Sequence, residues 1–127
     1  MEEKELTSFC PAYHQAVELI GRRWTGAILR ALLADVTRFN EIAAVVPGLS
    51  DRMLAERLKE LEAERLVVRT VTPCTPVRIE YNLTEKGRAL ESVVQAVAHW
   101  VEAWPESVPA PRLGPADTPS ASGVGRP

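Results

Sequence analysis

Long apolar runs are missing from this 127-residue sequence. None approaches the ~20 residues needed to cross a bilayer, which excludes a helical membrane span. The opening Met1-Glu2-Glu3-Lys4-Glu5 is too acidic for a secretory signal, so the expected location is the cytoplasm. Cysteine is scarce: Cys10 and Cys74 cannot build a disulfide framework and are expected as free thiols in a reducing compartment. His14 and His99 lack the paired spacing of a zinc module, so no metal or other cofactor is expected. The seven glycines form no phosphate-cradling loop, and no Gly-x-Ser-x-Gly elbow occurs, which leaves no enzyme class indicated.

What is present suits one small soluble domain, with 46% hydrophobic and 25% charged residues. A chain of this size buries roughly two-thirds of its unfolded surface, enough for one modest core. The net charge of -2 is unevenly spread: residues 1–21 carry one base and four acids, residues 22–88 twelve bases and nine acids, and residues 89–127 two bases and four acids. The middle segment therefore has the sign that nucleic-acid contact needs, although the excess is small.

Hydrophobic spacing divides the chain into elements. Ala12, Ala16, Leu19 and Ile20 recur at helical intervals, with Gly21 suited to a left-handed closing position. Trp24, Ile28, Leu29 and Leu32 mark a second helix ending near Ala34. Thr37 is a plausible N-cap for a third, from Arg38 to about Val45, with Phe39, Ile42 and Val46 inward and Pro47-Gly48 as its stop. Ser50 caps a fourth helix over residues 50–63, whose stripe is Leu54, Leu58 and Leu61. The period then changes to two: Leu66 to Thr72 and Val77 to Leu83 read as a hairpin around Pro73-Cys74-Thr75-Pro76, with Val77, Ile79, Tyr81 and Leu83 on its inner side. Thr84 is expected to cap one long last helix, with Leu90, Val93, Val94, Val97, Trp100, Val101 and Trp104 on one apolar side. Residues 105–127 hold six prolines and three glycines and are expected to be disordered. The resulting plan is an arm over 1–9, a domain over 10–104 and a tail over 105–127.

This order predicts a mainly α fold with a small β-hairpin (α+β), a winged helix-turn-helix with dimerisation helices at both ends. In such a fold one face of the recognition helix packs on the body and the other enters the major groove of double-stranded DNA. At about 100° per residue, Arg52, Ala55, Glu56 and Lys59 lie opposite the leucines, and Asp51 lies beside them in the first turn. Ser50, at the helix start, is placed to offer its hydroxyl or the backbone amides to a phosphate. Arg38, opening the third helix, and Arg78, at the hairpin base, are further phosphate candidates. Arg57, Arg65 and Arg69 fit local ion pairs or solvent, while Arg22 and Arg23 fit either phosphate contact or solvent.

Several runs are more specific than periodicity: Cys10-Pro11, Ile20-Gly21-Arg22-Arg23-Trp24-Thr25, Arg38-Phe39-Asn40-Glu41-Ile42, Pro47-Gly48-Leu49-Ser50, Leu58-Lys59-Glu60-Leu61-Glu62 and Glu80-Tyr81-Asn82-Leu83-Thr84-Glu85-Lys86-Gly87. Together with Trp100 they resemble the HxlR-type regulators, relatives of the MarR group, over roughly residues 9–104. The resemblance implies a dimeric winged-helix repressor or activator on a pseudo-palindromic operator. It also implies that Cys10 matches a cysteine that answers quinones, aldehydes or disulfide stress. Two departures stand out: Gly-Arg-Arg-Trp replaces the usual Gly-Lys-Trp, and Cys74 is an additional cysteine in the wing.

Cys10 precedes Pro11, a residue favoured at the first helical position, so its thiol is expected at a helix N-terminus, where the dipole favours a thiolate. Two readings fit it, a sensor thiol and a small buried thiol at a dimer interface. Tyr13, Trp24, Val97, Trp100, Val101 and Trp104 fit either a dimer core or a pocket between subunits for a small organic inducer. A winged helix used only as a protein–protein module is the remaining alternative, favoured by the acidic total charge.

Overall fold

The structure, a computed structural model, describes residues 8–107. Its elements in chain order are α1 (Pro11–Ile20), α2 (Thr25–Leu33), α3 (Phe39–Val45), α4 (Asp51–Ala63), β1 (Val67–Thr72), β2 (Arg78–Leu83), α5 (Glu85–Arg88), α6 (Glu91–Ala103) and a 3-10 turn at Pro105–Ser107. This is the expected winged helix-turn-helix. No helix among the described residues is long and apolar enough to cross a membrane.

The core is built where the periodic residues of α2, α3 and α4 meet the base of the hairpin. Ile28, Leu29 and Leu32 from α2, Ile42 from α3, Leu54, Leu58 and Leu61 from α4, and Leu66, Val67 and Leu83 at the hairpin base are all buried. Burial of an aliphatic side chain contributes about 1.5–3 kcal/mol, so this cluster is the main source of stability. Helices α2 and α4 both end in a Schellman arrangement without glycine. The Asp35 and Val36 amides donate to Leu32 and Ala31, the Arg65 and Leu66 amides donate to Glu62 and Leu61, and Asp35 and Arg65 take positive φ. The turn between α3 and α4 needs a true left-handed residue, and Gly48 supplies it at φ 85.

Four expectations are corrected. Gly21 closes α1 at φ -89, outside the left-handed region; its role is spatial, because a Cβ there would stand 2.7 Å from the Val17 carbonyl oxygen. Thr37 does not cap α3: the N-cap is Arg38, with no side-chain bond, and the Thr37 carbonyl instead accepts the Tyr81 amide of β2 at 2.8 Å. The last helix is two helices. Thr84 caps α5 as expected, its hydroxyl accepting from the Gly87 amide, but the Leu90 amide bonds the Gly87 carbonyl three residues back, and α6 starts afresh at Glu91. Gly87 lies so close to the Leu66 carbonyl that a side chain there would collide with it, which pins α5 to the start of the hairpin.

The fourth concerns the hairpin, which buries its base and not one whole face. Val67 and Leu83 pair at the buried end, whereas Thr72 and Arg78 pair at the exposed end, and Val77 is exposed. The tail expected to be disordered from Pro105 opens with the 3-10 turn; its remainder and most of the 1–9 arm lie outside the described residues.

Candidate nucleic-acid interface

Helix α4 is fixed by its leucines and started by Ser50, whose hydroxyl oxygen accepts the Met53 amide at 3.1 Å. That oxygen is thus committed to capping, and only the hydroxyl proton is left for a phosphate. Ser50→Ala is expected to cost about 1 kcal/mol and to lower Tm by about 4–8 °C, checked by thermal unfolding. Asp51 stands in the first turn, where a carboxylate suits the helix dipole.

The outward face is as the sequence pattern predicts. Asp51, Arg52, Ala55, Glu56 and Lys59 are all exposed. The Arg52 side chain is 89% exposed and donates from Nε to Glu56 Oε2 at 3.4 Å. An exposed pair of this kind is worth only about 0.3–0.5 kcal/mol, so Arg52 is easily redirected to a base edge or phosphate. Lys59 makes no ion pair among the described residues.

Arg38 and Arg78, 40 positions apart in sequence, come together. An isolated antiparallel bridge joins Arg38 to Glu80, so the segment before α3 lies alongside β2. The two arginines then line one cleft of about 580 Å³ with Phe39, Asn40, Ile79 and the loop residues Cys74 to Val77. This cleft joins the start of α3 to the wing. Asn40 is a member that periodicity does not single out; its neighbour Phe39 carries the helical signal and Asn40 carries none. The Cys74 thiol donates to the Pro76 carbonyl at 3.1 Å and is exposed.

The remaining arginines divide. Arg22 pairs with Glu60, Arg57 pairs with Glu60 and also donates to the Arg23 carbonyl, and the Arg23 guanidinium lies 5.1 Å from the Trp24 ring centroid. Arg22 and Arg23 are therefore engaged by protein groups. Trp24 is half-buried against the core, and Tyr13, Val97, Trp100, Val101 and Trp104 are exposed. A second cleft, about 520 Å³, lies between α1, α2 and α6; Val97 and Val101 line it, whereas Tyr13, Trp24, Trp100 and Trp104 do not. Cys10 is exposed at the N-cap of α1, directly before Pro11, as the sequence implies.

With this geometry in place, the family model described as HxlR-like helix-turn-helix matches residues 19–109. The chain belongs to the HxlR-like helix-turn-helix family. YvaP of Bacillus subtilis (strain 168), an uncharacterized HTH-type transcriptional regulator, is 47% identical over 98 residues, covering 77% of this chain and 91% of YvaP. The HTH-type transcriptional regulator YodB of the same organism is 46% identical over 95 residues, covering 75% of this chain and 85% of YodB. The reduced form of YodB is similar in structure at a TM-score of 0.69 and 45% identity, covering 80% of this chain and 100% of that chain. The quinone-bound YodB crystal structure gives 0.64 and 44%, covering 75% and 99%. Like these HTH-type relatives, the chain is a DNA-binding transcriptional regulator, and α4 with the wing is its candidate DNA-binding surface.

Proposed function

We propose that this HxlR-like chain is a homodimeric, non-catalytic repressor of the cytoplasm that releases a pseudo-palindromic operator when Cys10 is oxidised or alkylated. The observation that carries the dimer is α6. It has no buried residue, yet Val93, Val97, Trp100 and Val101 are exposed along it and Trp104 at its C-cap, with Tyr13 and Val17 exposed on α1. An apolar surface of this extent is unfavourable in water at about 25 cal/mol per Å², and a second copy is the simplest cover. Two recognition helices related by a twofold axis then meet half-sites about one helical turn apart.

Cys10 supports the sensing step. Its exposed thiol begins α1, whose Val17 and Ile20 line one cleft with Val93, Val97 and Val101 of α6, and on this reading a group added to the sulfur disturbs the packing of the two copies. With a quinone the step is conjugate addition: a sulfur–carbon bond forms as a ring carbon–carbon double bond opens, the thiol proton passes to one ring oxygen, the hydrogen of the attacked ring carbon passes to the other as the ring becomes aromatic, and a hydroquinone thioether results. A small organic inducer in the aliphatic cleft between α1, α2 and α6 is the second reading, favoured by that cleft's volume.

Operator release, followed by fluorescence anisotropy of labelled duplex, distinguishes them. A quinone or diamide is expected to weaken operator binding about 5–150-fold, the usual range of coupling between two sites, and to leave Cys10→Ser bound. Equal release of both proteins would move the trigger away from Cys10, to the exposed Cys74 thiol if Cys10→Ser with Cys74→Ser then stays bound and to the cleft if it does not. The protein–protein alternative predicts no salt-dependent affinity for random duplex, whereas phosphate contacts give a steep fall as salt rises.

A further inference from the structure

Arg57 belongs to the recognition helix but does not lie with the outward residues. Its side chain is only 11% exposed. Nε donates to the Arg23 carbonyl at 2.9 Å and Nη1 donates to Glu60 Oε2 at 3.0 Å. The same carboxylate oxygen accepts from Arg22 Nη1 at 3.2 Å. Arg22 and Arg23 form the turn between α1 and α2, so three charged side chains tie one flank of α4 to a segment more than 30 residues earlier. That turn is held in an uncommon shape, since Trp24 has φ 77, a left-handed conformation bulky side chains rarely adopt. The Arg23 guanidinium against the Trp24 ring adds a further contact within the turn.

We infer that Arg22, Arg57 and Glu60 are positioning residues for operator recognition: they set the orientation of α4 in the groove without touching DNA. The leucine stripe holds α4 to the body, but apolar burial is non-directional and resists removal more than rotation about the helix axis. Hydrogen bonds are directional, and those of Arg57 grip a backbone carbonyl and a carboxylate at once, a task suited to a planar fork and not to a lysine ammonium. Both cations converge on Oε2, while Glu60 Oε1 is buried without a hydrogen-bond partner among the described residues. The carboxylate therefore depends on these two arginines for its place.

The consequence is specific to sequence discrimination. Base-edge hydrogen bonds weaken steeply with misalignment, whereas phosphate attraction tolerates it. Loosening the clamp narrows the difference between operator and random DNA and leaves the shared electrostatic affinity. Glu60→Gln also removes a negative charge, so charge alone would tighten binding to every duplex; loss confined to one duplex is the opposite outcome.

The inference rests on α4 being the base-reading helix, and the test separates the two claims. The probes are a duplex enriched from a random-sequence pool by the wild-type protein and a shuffled duplex of the same composition, each titrated over a salt series. Glu60→Gln, Arg57→Lys and Arg22→Gln are expected to lower the affinity ratio of the two duplexes about tenfold, the discrimination of one base contact, with the salt slope unchanged and the shuffled duplex shifted only by the small, uniform effect of any charge change. Arg22→Lys keeps a cation beside Glu60 and is expected to retain most of the ratio. Arg22 is half-exposed, so its variants test the clamp even if a change at Arg57 impairs folding. An unchanged ratio in the clamp variants overturns the inference, as does equal weakening on both duplexes with a shallower salt slope, which would make these residues phosphate contacts. If Arg52→Ala with Lys59→Ala also leaves the ratio intact, the reading of α4 itself falls with it.

Discussion

Arg52→Ala combined with Lys59→Ala is expected to weaken operator binding by about 10³-fold or more in a folded protein, because the proposed dimer then loses four side-chain contacts to the operator, each worth about 1–3 kcal/mol. The substitutions are well placed for a clean result. Among the described residues Arg52 pairs only with Glu56, at an exposed site, and Lys59 has no ion pair, so stability is expected to change by less than about 0.5 kcal/mol. Salt dependence adds a second readout: for every phosphate contact removed, the slope of log affinity against log salt falls by about one, whereas a lost base contact leaves the slope alone. Unchanged operator affinity, with unchanged Tm, would remove α4 from the interface and leave the wing cleft of Arg38 and Arg78 as the principal contact.

What the sequence makes legible is whatever depends on local periodicity. The α4 stripe of Leu54, Leu58 and Leu61 fixes at once which side is buried and which side holds Arg52 and Lys59. The Ser50 and Thr84 caps are visible because the hydroxyl and its amide partner lie three positions apart. Legibility fails where a distant segment decides a local conformation. Thr37 has the residue type of a cap, but its carbonyl is taken by the Tyr81 amide, 44 positions on, and that pairing sets where α3 begins. The helix after Thr84 looks continuous, since nothing between Ala89 and Glu91 breaks the apolar spacing; the close approach of Gly87 to Leu66 appears only in three dimensions. The same holds for the site. Arg38 and Arg78 are each nominated by charge and position, but their shared cleft follows from the Arg38–Glu80 bridge, which no periodicity encodes. Arg57 and Glu60 show an i, i+3 pairing in sequence, while their tie to Arg22 and the Arg23 carbonyl is long-range.

Val97→Asp is expected to convert the protein to a monomer and to reduce operator affinity to near the non-specific level. Val97 is 58% exposed on α6, so an aspartate there is solvated in the single chain and costs the isolated fold little. In the proposed dimer the same carboxylate is enclosed by the apolar faces of two copies, and burying an unpaired charge costs several kcal/mol, twice over by symmetry. The effect on DNA follows from tethering. A dimer that holds two half-sites binds with the sum of two contacts less one association cost, and specific affinities of this kind lie near 10⁻⁸–10⁻¹¹ M against non-specific values of about 10⁻⁴–10⁻⁶ M. A monomer with one half-site falls to about the second range. Sedimentation velocity at micromolar concentration reads the assembly, and anisotropy with operator and shuffled duplexes reads the consequence. A dimeric Val97→Asp protein would place the subunit contact away from this part of α6, and a monomer that kept full operator affinity would show that one copy suffices.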